Sequence, residues 1–254
     1  MLKLTELKTP ASLEEAYELL RLPHHTALAG GTLSQLQAGE PTVGVELTHL
    51  LPSGITRDGC RLRIGAMTVL RTLETDPALQ TGCLSILPAS VRHLQGPALR
   101  NLITVGGAVG ARFPQSEFLT ALLALDAQAV LYRGGTVPLE TYLNAPPKDI
   151  VCELLVDREP GQTGFCAVRN SYVDQPILCA AACLREGTWR IAVGARPFSA
   201  EVRTCPASRD IREIAADCGA SFRMGDDLKA TADYRRRICP AIVRRAMEGE
   251  GVCR

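Results

Sequence analysis

Two short glycine segments, Leu28-Ala-Gly-Gly-Thr32 and Thr104-Val-Gly-Gly107, are where residue type and spacing in this chain offer chemistry. Glycine has no Cβ and tolerates positive φ, so backbone N–H groups in such segments can approach a phosphate-bearing ligand closely. Thr32 adds a hydroxyl able to donate to a phosphate oxygen. A dinucleotide pyrophosphate is the ligand that two such segments would suit. Taken singly, however, a Gly-Gly pair is ordinary loop punctuation. No Gly-x-Gly-x-x-Gly opens a helix and no Gly-x-x-x-x-Gly-Lys-Ser/Thr occurs, so the Rossmann and P-loop readings both lack their spacing.

Other reactive side chains make a weaker case. The 10 cysteines are scattered from Cys60 to Cys253 without a Cys-x-x-Cys pair. The tightest spacing, Cys179 to Cys183, lies in an apolar stretch with no further ligand nearby, so we read reduced core thiols and no metal or cluster site. His24 and His25 read as loop histidines that meet solvent. His49 and His93 have no carboxylate or cysteine at a spacing that would suggest a triad. Arg235, Arg236, Arg237, Arg244 and Arg245 make the last helix basic; a solvated face is the plain reading and a docking surface for an acidic partner the sharper one.

The elements that must position the glycine segments follow from patterning. A length of 254 residues suits two modest domains. A formal net charge of +1 and an aromatic content of 4% give neither a basic track nor a stacking platform, which argues against nucleic acid. No apolar run is long enough to span a bilayer and the first residues do not form a secretion signal, so no membrane role and a cytoplasmic location are expected. Ser12-Leu-Glu-Glu15 is a capping box opening a helix with Leu13, Ala16, Tyr17 and Leu20 on one face. A strand leads to the first glycine pair. Arg61 to Ile64 alternates as a strand, and Thr68 opens a helix ending before Pro77. The stretch from Leu102 to Val109 reads as a strand and glycine loop, followed by a helix from Ser116 to Leu125. Ala127 to Tyr132 and Thr136 to Leu139 form a hairpin.

Asn144-Ala-Pro-Pro-Lys148 reads as a connector between a first domain at 1–147 and a second at 148–254. Strands are expected at Ile150 to Val156, Phe165 to Val168, Ile177 to Leu184 and Trp189 to Val193, the last two joined across Glu186-Gly187. One helix runs from Ser208 to a stop at Gly219. A second begins at Thr231, with Tyr234, Ile238, Ala241 and Ile242 inward and a kink at Pro240.

The order of segments becomes specific when they are joined. Leu28-Ala-Gly-Gly-Thr-Leu33, Arg63-Ile-Gly-Ala-Met-Thr68, Leu99-Arg-Asn-Leu-Ile-Thr-Val-Gly-Gly107 and Leu119-Thr-Ala-Leu-Leu-Ala-Leu-Asp126 together resemble the FAD subunit of molybdenum hydroxylases of the xanthine dehydrogenase and carbon monoxide dehydrogenase type. Asp226-Asp-Leu-Lys-Ala-Thr-Ala-Asp-Tyr-Arg-Arg236 and Val243-Arg-Arg-Ala246 are similar to that family's C-terminal domain signature. Nearly the whole chain is covered. The resemblance implies an α+β protein: a two-lobed FAD-binding domain of the vanillyl alcohol oxidase type, then a small antiparallel sheet with helices of the carbon monoxide dehydrogenase flavoprotein type.

By the same resemblance FAD is non-covalent, with Ala29, Gly30, Gly31, Thr32 and Leu33 on one side of the pyrophosphate and Thr104, Gly106 and Gly107 on the other. Ser116 and Glu117 fall where the family has a Ser-Asp pair that contacts the cofactor. Ala108 stands where the family commonly has Asn, and Cys166, Ala167 and Val168 occupy a stretch that often holds Lys. The implied partners are a molybdopterin-binding large subunit and a [2Fe-2S] small subunit, with NAD or another molecule accepting the electrons. A self-sufficient flavin oxidase or reductase and a cofactor-free scaffold are the alternatives. The former needs its own acid or base near the flavin, and the sequence offers no candidate.

Overall fold

Residues 3–32, 41–145, 149–159 and 161–249 are described by a computed structural model of the chain. They gather into two compact units, each drawn from separated stretches: 1–72, 97–111 and 128–156 form the first, 73–96, 112–127 and 157–254 the second. Pro146, Pro147 and Lys148 of the expected connector lie outside the described residues.

In the first unit, strands β1 (Lys3–Lys8), β2 (His25–Leu28) and β3 (Pro41–Glu46) make a parallel sheet ordered β1-β3-β2. The helix Leu13–Leu20 forms between the first two strands because both ends of the Ser12 box close. Ser12 Oγ accepts from the Glu15 N–H at 3.2 Å, and the Glu15 carboxylate accepts from the Ala11 N–H at 2.8 Å, one residue before the usual target. Ala16 is fully buried with Val45, Leu47 and Ile150.

A five-stranded sheet completes this unit. Its strands β4 (Ile55–Asp58), β5 (Arg61–Gly65), β6 (Gln128–Leu131), β7 (Gly135–Pro138) and β8 (Val151–Asp157) run in the order β4-β5-β8-β6-β7. The strand expected at Ile150 is therefore real, but it belongs to this sheet and not with the strands after it. Ala66 N–H donates to the Cys152 carbonyl at 2.9 Å, and Glu153 pairs with Arg63. Alternation reveals that a stretch is a strand; it carries no record of which neighbours pair with it.

The strand expected from Leu102 to Val109 is a correction. Only Thr104 makes a bridge, to Val69, and Val105–Ala111 is a helix holding both glycines in its first turn. Ile103, Thr104 and Val105 are β-branched and buried, which mimics a strand. The deciding feature is the Thr104 hydroxyl, which accepts from the Gly107 N–H at 3.1 Å and caps the helix.

The second unit is built on β9 (Gln162–Val168), β10 (Leu178–Arg185), β11 (Thr188–Gly194) and β12 (Glu201–Pro206), an antiparallel sheet ordered β12-β11-β10-β9. Leu178, Ala180 and Ala182 of β10 and Trp189, Ile191 and Val193 of β11 share one core with the helices Ile211–Ser221 and Ala232–Glu248. The opposite face carries Cys179, whose thiol lies 3.5 Å from Thr120 of the helix Glu117–Ala124. Because β10 is covered on both faces, small alanines and cysteines fill it.

Three details differ from the sequence reading. Asp210, not Ser208, caps the first of the final helices, and Gly219 is buried within it. The buried stripe of the last helix is Ala232, Arg235, Cys239, Ile242, Val243, Ala246 and Met247, so Tyr234 and Ala241 face outward. The stripe shifts because Arg235 is completely buried and satisfied. It donates to the carbonyls of Ile177 at 2.9 Å, Gly225 at 2.8 Å and Ala230 at 2.6 Å, and to Asp227 Oδ1 at 2.7 Å.

Candidate functional site

At the end of β2 the chain turns through Gly30 and Gly31, with φ of +62° and +67°. A Cβ on Gly30 would fall well inside 3.0 Å of the Leu102 carbonyl oxygen, whereas one on Gly31 would meet nothing within 4 Å. Gly30 thus lets the first glycine segment lie against the chain leading to the second. The second is drawn in from its other side. Gly106 N–H donates to the Ala66 carbonyl at 2.8 Å, and a Cβ there would stand 2.8 Å from that of Ala66.

These approaches bring the segments into one cleft of about 380 Å³ inside the first unit, lined by Ala29 and Thr32 on one side and Thr104, Gly106 and Gly107 on the other. Gly30 and Gly31 shape its turn without lining it. Leu33 lies outside the described residues. The N–H groups of Val105, Gly106 and Gly107 already donate to Thr68 O, Ala66 O and Thr104 Oγ1. What this side offers a phosphate is therefore a wall without Cβ atoms and the Thr104 hydroxyl proton, with Thr32 supplying another hydroxyl across the cleft. Away from the glycines the walls are apolar and aromatic, including Tyr17, Leu47, Leu51 and Tyr142, with Asp149 among them.

Ser116 and Glu117 are placed differently, in the second unit. Ser116 Oγ accepts from the Leu119 N–H at 3.2 Å and caps the helix Glu117–Ala124. Glu117 is 4% exposed and pairs with Arg169 at 2.5 Å. Burial pushes its carboxyl up to about 7 against the pull of the Arg169 guanidinium.

Several cleft residues escaped the sequence reading. Tyr17 was legible only as an apolar position on a helix, and Tyr142 carried no signal. His25, read as a solvent-facing loop residue, instead sits in β2, lines the cleft and has Nδ1 2.9 Å from the Pro23 carbonyl. An aromatic on an amphipathic helix usually means core, so composition alone does not single out these positions.

The sequence profile of the FAD binding domain in molybdopterin dehydrogenase matches residues 3–158. The chain belongs to this family. Over 172 residues it is 34% identical to protein YgfM of Escherichia coli K12, a match covering 63% of this chain and 61% of that relative's length. Similarity spans nearly full length with the nicotine 6-hydroxylase medium subunit of Paenarthrobacter nicotinovorans, at 25% identity and 96% of each chain. It does so too with the carbon monoxide dehydrogenase medium chain of Hydrogenophaga pseudoflava, at 26% identity and 95% of each. A solved carbon monoxide dehydrogenase from Hydrogenophaga pseudoflava superposes with a TM-score of 0.85 at 23% identity over 98% of both chains. Quinoline 2-oxidoreductase from Pseudomonas putida 86 does so with 0.80 at 22% identity, over 96% of this chain and 95% of that one. These structural likenesses establish the shared mixed helix and sheet fold.

FAD is the cofactor of the family's domain, and the cleft fits it. A phosphate can approach the glycine wall where any side chain would intrude, the two threonine hydroxyls face the same space, and the apolar remainder suits a flat ring. Among the described residues, no helix is long and apolar enough to cross a membrane and no cluster of His, Cys, Asp or Glu is arranged to hold a metal.

Proposed function

We propose that this chain is the FAD-carrying electron-transfer subunit of a multi-subunit molybdenum hydroxylase, acting in the cytoplasm between an iron–sulfur subunit and NAD or another acceptor. The observation that carries the reading is the meeting of the two glycine segments on one cleft. Likeness to two medium subunits over 95–96% of this chain supports the place in a complex with a molybdopterin-binding large subunit and a [2Fe-2S] small subunit. Bound FAD supplies the ability to take up electrons singly and release them as a pair.

In this reading the chain binds and orients. Ala29 and Thr32 would hold one side of the pyrophosphate and Thr104, Gly106 and Gly107 the other, while Gly30 and Gly31 fix the turn. Tyr17 and Tyr142, which line the same cleft, would supply aromatic surface to the cofactor. The flavin-binding domain takes in β8 and so runs to about residue 156, a limit supported by the profile match over 3–158. Ser116 and Glu117 serve the architecture of the second unit.

The purified full-length chain should release one FAD per polypeptide on denaturation. Coexpressed with the large and small subunits, it should enter a complex containing molybdenum and iron. Alone and loaded with FAD, it should not be bleached anaerobically by hypoxanthine or another heterocycle, since oxidation of the substrate belongs to the partner. Bleaching of the isolated chain would refute the relay.

A further inference from the structure

The two final helices run antiparallel. A Cβ on Gly219 would lie 2.7 Å from Pro240 Cγ, and Arg212, at the other end of the first helix, shares a groove with Arg244. That groove has a volume of about 420 Å³ and is walled by Arg212, Ala215, Pro240, Ala241 and Arg244. Its floor is small and apolar, and its two charged walls are both guanidinium.

The chain's own carboxylates neutralise it only in part, through Glu248 on Arg244. Arg236 is paired with Asp233 at 2.6 Å, and Arg235 is buried, so neither serves this surface. Arg244 reaches Glu248 only at 3.4 Å. Among the described residues Arg212 has no ion-pair partner, and neither does Arg237, which stands one helical turn before Ala241. Like charges held across an apolar floor make a positive potential in the groove and favour an anionic occupant. Arginine is also the cation best suited to grip carboxylates in a protein contact, through its planar fork of donors.

We propose that this groove docks a carboxylate-rich segment of a partner subunit, with small apolar side chains of that segment against Ala215 and Ala241 and its carboxylates on Arg212 and Arg244. The assignment rests on the multi-subunit reading above. It takes Arg235 and Arg236 out of the basic docking surface, keeps Arg244 of the last helix and adds Arg212 of the helix before it.

The test is coexpression of the full-length chain with its large and small subunits, read by size-exclusion chromatography and by titration of the separated chain against the remaining subcomplex. Arg212→Glu with Arg244→Glu should weaken assembly by about a hundredfold, because like charges would then face each other. FAD content should be unchanged. Arg212→Lys with Arg244→Lys should retain most of the affinity, and wild-type affinity should fall as salt is raised. If the charge-reversed pair lowers helicity or FAD content, Arg212→Ala with Arg244→Ala replaces it, with a weakening of about tenfold expected. Assembly of a folded charge-reversed or alanine pair with wild-type affinity would overturn the groove assignment and leave the proposed function standing. A wild-type chain that joins no partner would overturn both. A wild-type homodimer dissolved by the same reversal would overturn the partner in favour of a second copy of the chain.

Discussion

Exchanging Gly30 or Gly31 for alanine separates two costs that their adjacency in sequence conceals. Each sits at positive φ, so each substitution carries the left-handed penalty of about 1–2 kcal/mol. For Gly31→Ala that is the whole effect, since its new methyl group would meet nothing within 4 Å. Gly30→Ala also forces a Cβ inside 3.0 Å of the Leu102 carbonyl oxygen. Backbone overlap of this sort adds roughly 1–3 kcal/mol, giving about 2–5 kcal/mol in all. Leu102 stands two residues before Thr104, so relief of the overlap moves either the first glycine turn or the segment carrying the Thr104 hydroxyl, and both line or shape the cleft. Urea unfolding of the FAD-free variants gives the stability cost, and titration of each with FAD, followed by flavin fluorescence, gives the affinity. Gly30→Ala should bind at least about tenfold more weakly than Gly31→Ala, the equivalent of about 1.4 kcal/mol. Equal losses at the two positions, or wild-type affinity in Gly30→Ala, would refute the argument that close approach at Gly30 builds the site.

Two further outcomes concern the second unit. The Glu117 carboxyl is raised from 4.5 to about 7 in the folded chain, so between those pH values the folded state holds a proton that the unfolded state releases, and stability falls as pH rises through that window and levels above it. The wild-type advantage over Glu117→Gln in urea unfolding should therefore shrink by about 3 kcal/mol from pH 4.5 to 7.5; a difference independent of pH would refute it. Arg235→Met leaves the carbonyl of buried Ile177 without its donor and removes the guanidinium from Gly225, Ala230 and the exposed Asp227, with an expected cost of about 1–3 kcal/mol, and a loss below about 0.5 kcal/mol would show that the buried guanidinium is dispensable.

Local signals in the sequence were read correctly where the physics is local. Ser12 and Thr231 cap their helices, Glu186-Gly187 joins β10 to β11, and the hairpin expected across Ala127 to Leu139 forms as β6 and β7. Failures came where tertiary context decides. The β-branched run at Ile103 to Val105 imitates a strand until Thr104 caps a helix, and β8 shows no trace of its partners in the pattern of its residues. Strand β12 was missed altogether, since Glu201–Pro206 is exposed or half-buried and lacks the alternation that marks a strand. Charge ordinarily predicts exposure, and Arg235 is completely buried all the same. In the cleft, the two glycine segments stood out in the sequence because close backbone approach restricts residue type, and the family resemblance extended them to Ala29 and Thr104. Tyr17, Tyr142 and His25 could not, because their side chains fit equally well in a core or at a surface.

The interleaving of the units has a consequence for how the protein is made. Residues 73–96 and 112–127 leave the ribosome well before 157–254, yet they belong with them in the second unit. Leu79, Leu84, Leu87, Phe118 and Leu122 are buried in the finished protein, but during synthesis they precede the sheet β9–β12 that completes their unit. Over that interval the nascent chain carries unsheltered apolar surface, the kind that aggregates or recruits a chaperone. A polypeptide cut short near residue 156 would hold it there permanently.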